Sequence, residues 1–133
     1  MKTAAAFALA LSTLGLAACG PSSEPMASEM AGRVVVDMTP SLTFTPETVT
    51  ISAGESVTFR NVSGFAHTVS TTPATPAQAA SVSLPEGAMA FDSGSIAAGG
   101  TFTQTFTVPG TYRYFCDPHH GAEMVGTIVV TAS

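Results

Sequence analysis

Between Tyr114 and Met124 the chain reads Tyr-Phe-Cys-Asp-Pro-His-His-Gly-Ala-Glu-Met, which puts the Cys116 thiol, the His119 and His120 imidazoles and the Met124 thioether in one short stretch. Soft sulfur donors suit copper, and imidazole nitrogens serve both of its common oxidation states. With one more imidazole from elsewhere, such a stretch can build a centre with one Cys and two His in a plane and a weak axial Met. His67, in Gly64-Phe65-Ala66-His67-Thr68-Val69, is available for that place. The chemistry would be one-electron transfer through a single copper ion cycling between Cu(I) and Cu(II). Taken singly, each residue has an ordinary reading: a Cys as a small buried hydrophobe, a His at the surface, a Met as packing. Three soft ligands in one turn, with a further His upstream, point to a metal.

The spacing C-x2-H-x4-M, with Pro118 ahead of His119 and Gly121-Ala122 beyond it, resembles the plastocyanin family of cupredoxins, and pseudoazurins share it. Gly64 to Thr68 is similar to that family's first-histidine strand. Phe91-Asp92-Ser93-Gly94, followed by Ala98-Gly99-Gly100-Thr101-Phe102, is similar to the segment between its two ligand regions. The resemblance covers most of residues 34–133. It implies an all-β, cupredoxin-like Greek-key β-sandwich and one copper ion held by His67, Cys116, His119 and Met124. Choosing His120 instead would change the spacing to C-x3-H-x3-M, and Pro118 favours His119. His120 then reads as a surface imidazole beside the copper. Phe65, Ala66, Pro118, Gly121 and Ala122 would form an apolar patch around the exposed edge of His119, the exit route for the electron. Three positions depart from the family. Thr68 stands where Asn often ties the ligand loops together, Phe115 replaces the exposed Tyr of a second docking patch in plants, and Glu123 replaces the usual Gly before the axial Met.

The elements that must position these residues read as strands. Val34-Val35-Val36 opens the pattern; Leu42 and Phe44 alternate with Thr43 and Thr45, Val49 and Ile51 with Thr48 and Thr50, Val57 and Phe59 with Thr58 and Arg60. Phe102, Phe106 and Val108 oppose the threonines from Thr101 to Thr107, with Gln104 out of place on the apolar side, and Thr127 to Thr131 closes the domain. Alternation with period two marks half-buried strands. Counting back from Cys116, Tyr114 and Tyr112 share its inward face while Arg113 and Phe115 point outward. Pro73, Pro76 and Pro85 interrupt the segment from Thr71 to Met89, which reads as a long loop with a short helical turn near Pro76–Ala80.

The chain start, Met1-Lys2 and then an apolar run from Ala4 to Ala18, reads as a secretory signal too short to span a bilayer. Leu16-Ala17-Ala18-Cys19 resembles a bacterial lipoprotein signal, cut before Cys19 with lipid added to its thiol. The expected division is therefore a signal peptide at 1–18, a lipid-anchored flexible tether at 19–32, and the copper-binding domain at 33–133. The protein would be exported and anchored on the periplasmic or extracellular side of a bacterial membrane. Cys19 and Cys116, the only two cysteines, have separate tasks and form no disulfide. Without the signal, three arginines face nine carboxylates, a net charge of −6. That balance excludes nucleic acid, which needs a basic footprint. It favours partners with a positive docking face, such as c-type cytochromes or a membrane oxidoreductase, met by a monomer. An enzyme with further copper ions would need histidines adjacent to Cys116, and the chain has only three in all. A copper delivery protein is the remaining alternative, although Met26, Met30, Met38 and Met89 are scattered rather than clustered.

Overall fold

The computed structural model describes residues 33–133. The signal, Cys19 and the tether lie outside them. The alternating segments form seven strands: β1 (Val34–Met38), β2 (Phe44–Thr45), β3 (Thr48–Ser52), β4 (Ser56–Asn61), β5 (Thr101–Thr105), β6 (Gly110–Phe115) and β7 (Val125–Thr131). One short helix, α1 (Pro76–Ser81), interrupts the long β4–β5 connection. It falls where the sequence predicts a helical turn: Pro76 starts it and the Thr75 hydroxyl caps it, accepting the Gln78 N–H at 3.2 Å.

The strands make two sheets, ordered β2-β1-β4-β5 and β3-β7-β6. β1 runs parallel to β4 and β3 parallel to β7, while the other pairs are antiparallel. Apolar faces of the two sheets meet in one core that includes Val36, Met38, Phe44, Val57, Phe59, Tyr112, Tyr114, Ile128 and Val130. Threonines cover the outer face and bond across strands, as Thr58 does to Thr103 at 3.1 Å. Gln104, on edge strand β5, is half-buried and donates to its neighbour's carbonyl, so it never enters the core.

Strand direction decides where the connecting loops gather. β4 ends at Asn61, just before the loop that carries His67, and its parallel partner β1 ends alongside it at Met38. β7 begins at Val125, next to Met124, and runs the other way to Thr131. All the candidate ligands therefore gather at one end, while Val34 and Thr131 lie at the opposite end.

Phe115 corrects one detail of the alternation. It points away from the core as expected, yet it is only 1% exposed, with the His120 ring edge-on against it at 5.5 Å. Tyr114 packs edge-on against Phe44 and Phe59 and over Gly126. Its hydroxyl is buried without a hydrogen-bond partner. Leaving a buried hydroxyl unpaired costs about 1–3 kcal/mol. Tyr114→Phe should therefore leave thermal stability unchanged or raise it by up to about 1 kcal/mol. Gly126→Ala, whose Cβ would collide with the Tyr114 ring, should lose about 2 kcal/mol in denaturant titration.

Candidate metal centre

Two loops supply the candidate ligands. The first follows β4, and its shape is set by Asn61, which falls at an inward position of the Val57-Phe59-Asn61 register and is buried. The Asn61 amide donates to the carbonyls of Phe65 and Ile96, at 2.7 and 2.9 Å, and accepts the N–H and hydroxyl of Ser63. A buried amide with all these partners holds the loop tightly. His67 then pairs through its main chain with Ile96 in both directions. The second loop closes the β6–β7 hairpin. The Cys116 N–H donates to the Met124 carbonyl at 2.9 Å, and a 3-10 turn over His120–Ala122 folds the interior. Glu123 follows that turn with φ of 59°, in the left-handed region. That conformation suits glycine, the residue usual for the family here, at a cost of about 1–2 kcal/mol for other residues.

The loops meet side by side. Ser70 and Phe115 exchange main-chain hydrogen bonds of 2.9 and 3.0 Å. The Asp117 N–H donates to the Thr68 hydroxyl at 2.7 Å, and the Thr68 N–H reaches the Cys116 sulfur at 3.3 Å. Thr68, the shorter stand-in for Asn, therefore links both loops. In the resulting cluster the Cys116 Sγ lies 3.6 Å from the His67 Nδ1 and 3.3 Å from the His119 Nδ1. One ligand atom from each of the three residues falls within 4.8 Å of the others. Met124 is fully buried, and its N–H points to the His119 carbonyl at 3.4 Å. All four residues singled out in the sequence are thus in one place.

His120 is not part of the cluster. Its Nε2 lies 2.8 Å from the Ser81 hydroxyl and its ring packs edge-on against Phe115. It therefore turns toward α1, where the sequence suggested only a surface position. Sequence reasoning also missed Asn61, Ser63, Gln78 and Ser81. Asn61 had a readable signal, a polar residue at an inward strand position followed by Ser and Gly. Gln78 and Ser81 had none, since they sit in an Ala- and Pro-rich segment without strand period.

Donor chemistry and spacing fit a copper ion. With metal–sulfur near 2.3 Å and metal–nitrogen near 2.0 Å, sulfur and nitrogen sit about 3.5 Å apart, close to the separations seen here. Burial pushes the Cys116 thiol pKa up, and the Asp117 carboxylate adds to this, while the Thr68 and His119 contacts offset part of it. Burial and then the neighbouring His119 push the His67 pKa down, with a small opposing contribution from the Thr39 main chain. His67 Nε2 is buried and has no partner within hydrogen-bonding geometry, so the Thr39 contact is a weak one. The histidine is consequently neutral and ready to ligate at neutral pH, whereas the thiol still holds its proton. Glu123 is exposed, and solvent screens its charge from the site.

The chain matches the copper binding proteins of the plastocyanin/azurin family over residues 25–131. It is 40% identical over 89 residues to the chloroplastic plastocyanin of Tetradesmus obliquus, covering 67% of this chain and 59% of that protein. Against the chloroplastic plastocyanin of Oryza sativa subsp. indica the identity is 34% over 129 residues, 97% of this chain and 77% of that protein. Plastocyanin of Solanum crispum is 40% identical over 93 residues, 67% and 88% of the two chains. Among solved structures, the Cu(I) form of a methionine-to-alanine mutant of amicyanin superposes with a TM-score of 0.59 at 26% identity, covering 75% of this chain and 83% of that one. The fold is that of a cupredoxin, and the four-residue cluster fits the single copper ion of such proteins.

A proton count tests the electrostatics. At about pH 8, Cu(II) uptake should release about one proton, from Cys116 and none from His67. Calorimetry in buffers of different ionisation enthalpy measures that number. A value near zero would mean that the thiol is already ionised or takes no part.

Proposed function

Because the chain belongs to the plastocyanin/azurin family of copper-binding proteins, we propose that it is a single-copper electron carrier with His67, Cys116, His119 and Met124 as ligands. Proteins of this family carry electrons rather than catalyse reactions, and the chain is not an enzyme. The observation that carries the ligand reading is the buried Cys116 sulfur, flanked by two imidazole Nδ1 atoms. Copper, when bound, supplies a one-electron couple between Cu(I) and Cu(II).

The residues fix the donors before the electron arrives. Asn61 holds the His67 loop, the hairpin base holds Cys116 and Met124, and Thr68 joins the two. Donors that cannot relax add little reorganisation to the transfer. Burial of Cys116 keeps water off the sulfur, and the Thr68 N–H fixes its direction. His119 is the half-exposed ligand and serves as the electron's exit. The Phe65 ring, 41% exposed, stands 5.4 Å from it. Pro118, Gly121 and Ala122, all small and exposed, let a partner approach closely. Glu47, Asp117 and Glu123 are exposed on the same part of the molecule as the ligand loop. They suit a redox partner with a positive docking face, such as a c-type cytochrome or a membrane oxidoreductase. The carrier works as a monomer.

Among the described residues no helix is long and apolar enough to cross a membrane. The reading of residues 1–18 as a signal and 19–32 as a lipidated tether supplies the membrane attachment, on the periplasmic or extracellular side. Mass spectrometry of the mature N-terminus should find a diacylated or triacylated Cys19; an unmodified thiol there would refute the anchor.

Visible spectroscopy decides the copper reading. Cu(II) should give the intense red-end absorption of a thiolate–copper bond, which Cys116→Ser abolishes while the β domain stays folded and His120→Ala leaves in place. Stoichiometric copper without that colour would favour copper delivery instead. A Cys116→Ser variant that keeps its colour would overturn the ligand set.

A further inference from the structure

Gln78 is the one buried residue of α1. A buried amide requires partners for both of its ends. Its Oε1 accepts the Ala74 N–H at 2.8 Å, which fixes which end of the amide is oxygen. The Nε2 end must then donate, and it donates to the Asp117 carboxylate. Three residues along, the Ser81 hydroxyl bonds to the His120 Nε2 at 2.8 Å. The helix is thus fastened to the ligand loop on both sides of Pro118-His119. α1 also has its own cap at Thr75.

We propose that Gln78 is a positioning residue for the metal centre. Acting through Asp117, it clamps the Cys116–Met124 loop against the loop that carries Thr68 and His67. The clamp is a continuous chain. Gln78 holds the Asp117 side chain, the Asp117 N–H donates to the Thr68 hydroxyl, and the Thr68 N–H donates to the Cys116 sulfur. A hydrogen bond to a charged carboxylate is stronger than one between neutral groups, and the buried Gln78 amide supplies this one from the protein side, so this outer link is able to restrain the inner two. It holds the thiol and imidazole at their ligand separation before any metal arrives. The inference rests on the ligand reading above for its purpose, although the clamp itself belongs to the metal-free chain.

Amide hydrogen exchange on the metal-free full chain tests it. Gln78→Met keeps the length and burial of the side chain but cannot donate; Asp117→Asn keeps an acceptor oxygen for Gln78. In Gln78→Met the Asp117 and Thr68 amides should exchange about tenfold faster, relative to β4 and β7 amides, from loss of one charge-assisted bond. In Asp117→Asn, which keeps an acceptor oxygen but loses the charge, the acceleration should be smaller, about threefold. The Cu(II)-loaded Gln78→Met protein should show a broadened thiolate–copper band, and Asp117→Asn a smaller broadening. Faster exchange confined to the amides of α1, with Asp117 and Thr68 as protected as before, would overturn the proposal. If Gln78→Met does not fold, Asp117→Ala removes the other half of the bond and should accelerate the Thr68 amide alike; unchanged protection there would also overturn it. A parent protein that never turns blue, yet whose Asp117 and Thr68 amides respond, would remove the copper reading and support the clamp.

Discussion

A hydroxyl and an amide of one residue, Thr68, hold together the whole working end of this sandwich. Its side chain accepts the Asp117 N–H and its own N–H meets the Cys116 sulfur, so two loops separated by about fifty residues share a hinge point. Without that contact each loop would still be anchored to its own strands, His67 through Ile96 and Cys116 through the hairpin base. Their relative position beside the thiol would then rest on packing and on the Ser70–Phe115 main-chain bonds at the end of β6. Packing of apolar side chains is not directional, whereas a ligand set needs its donor atoms fixed to a fraction of an ångström. Directional polar contacts in a dry setting supply that precision, which is why polar residues are buried at this end and almost nowhere else.

Burying polar groups has its own cost, and the structure meets it by completing their bonds. Asn61, Ser63, Ser70 and Thr71 are all buried and all partnered. Two exceptions are informative. The Tyr114 hydroxyl is a plain packing expense in the core. The unpartnered His67 Nε2, by contrast, belongs to a ring whose other nitrogen faces the thiol, so its protonation follows what happens at the metal-facing side.

Much of this was legible from residues alone, for identifiable reasons. Strand alternation is a short-range signal, and Val57-Phe59 or Tyr112-Tyr114-Cys116 displayed their inward faces directly. The ligand cluster was legible because three of its members are close in sequence. What stayed hidden depends on contacts between distant segments. Phe115 alternated outward and still became buried, since nothing in its own strand says that the His120 ring, bonded to the distant Ser81, will pack against it. For the same reason His120 read as a free surface imidazole until Ser81 and Phe115 appeared beside it. Leu42, placed in the alternation of β2, instead takes a left-handed turn conformation with φ of 61° just before a two-residue strand; a tight turn there outweighs the period.

The opposed placement of the ligand end and the two outer strand ends has a practical reach. Val34 and Thr131 both leave the sandwich at the pole away from His119. Any support joined to the chain before β1 or after β7 therefore meets the blunt pole first. The domain is built like a probe with its handle and its contact tip at opposite ends. Immobilised directly at the start of β1 or the end of β7, with no flexible spacer, it would present the His119 tip to solution rather than to the conductor. Direct wiring would require an attachment point engineered at the tip itself.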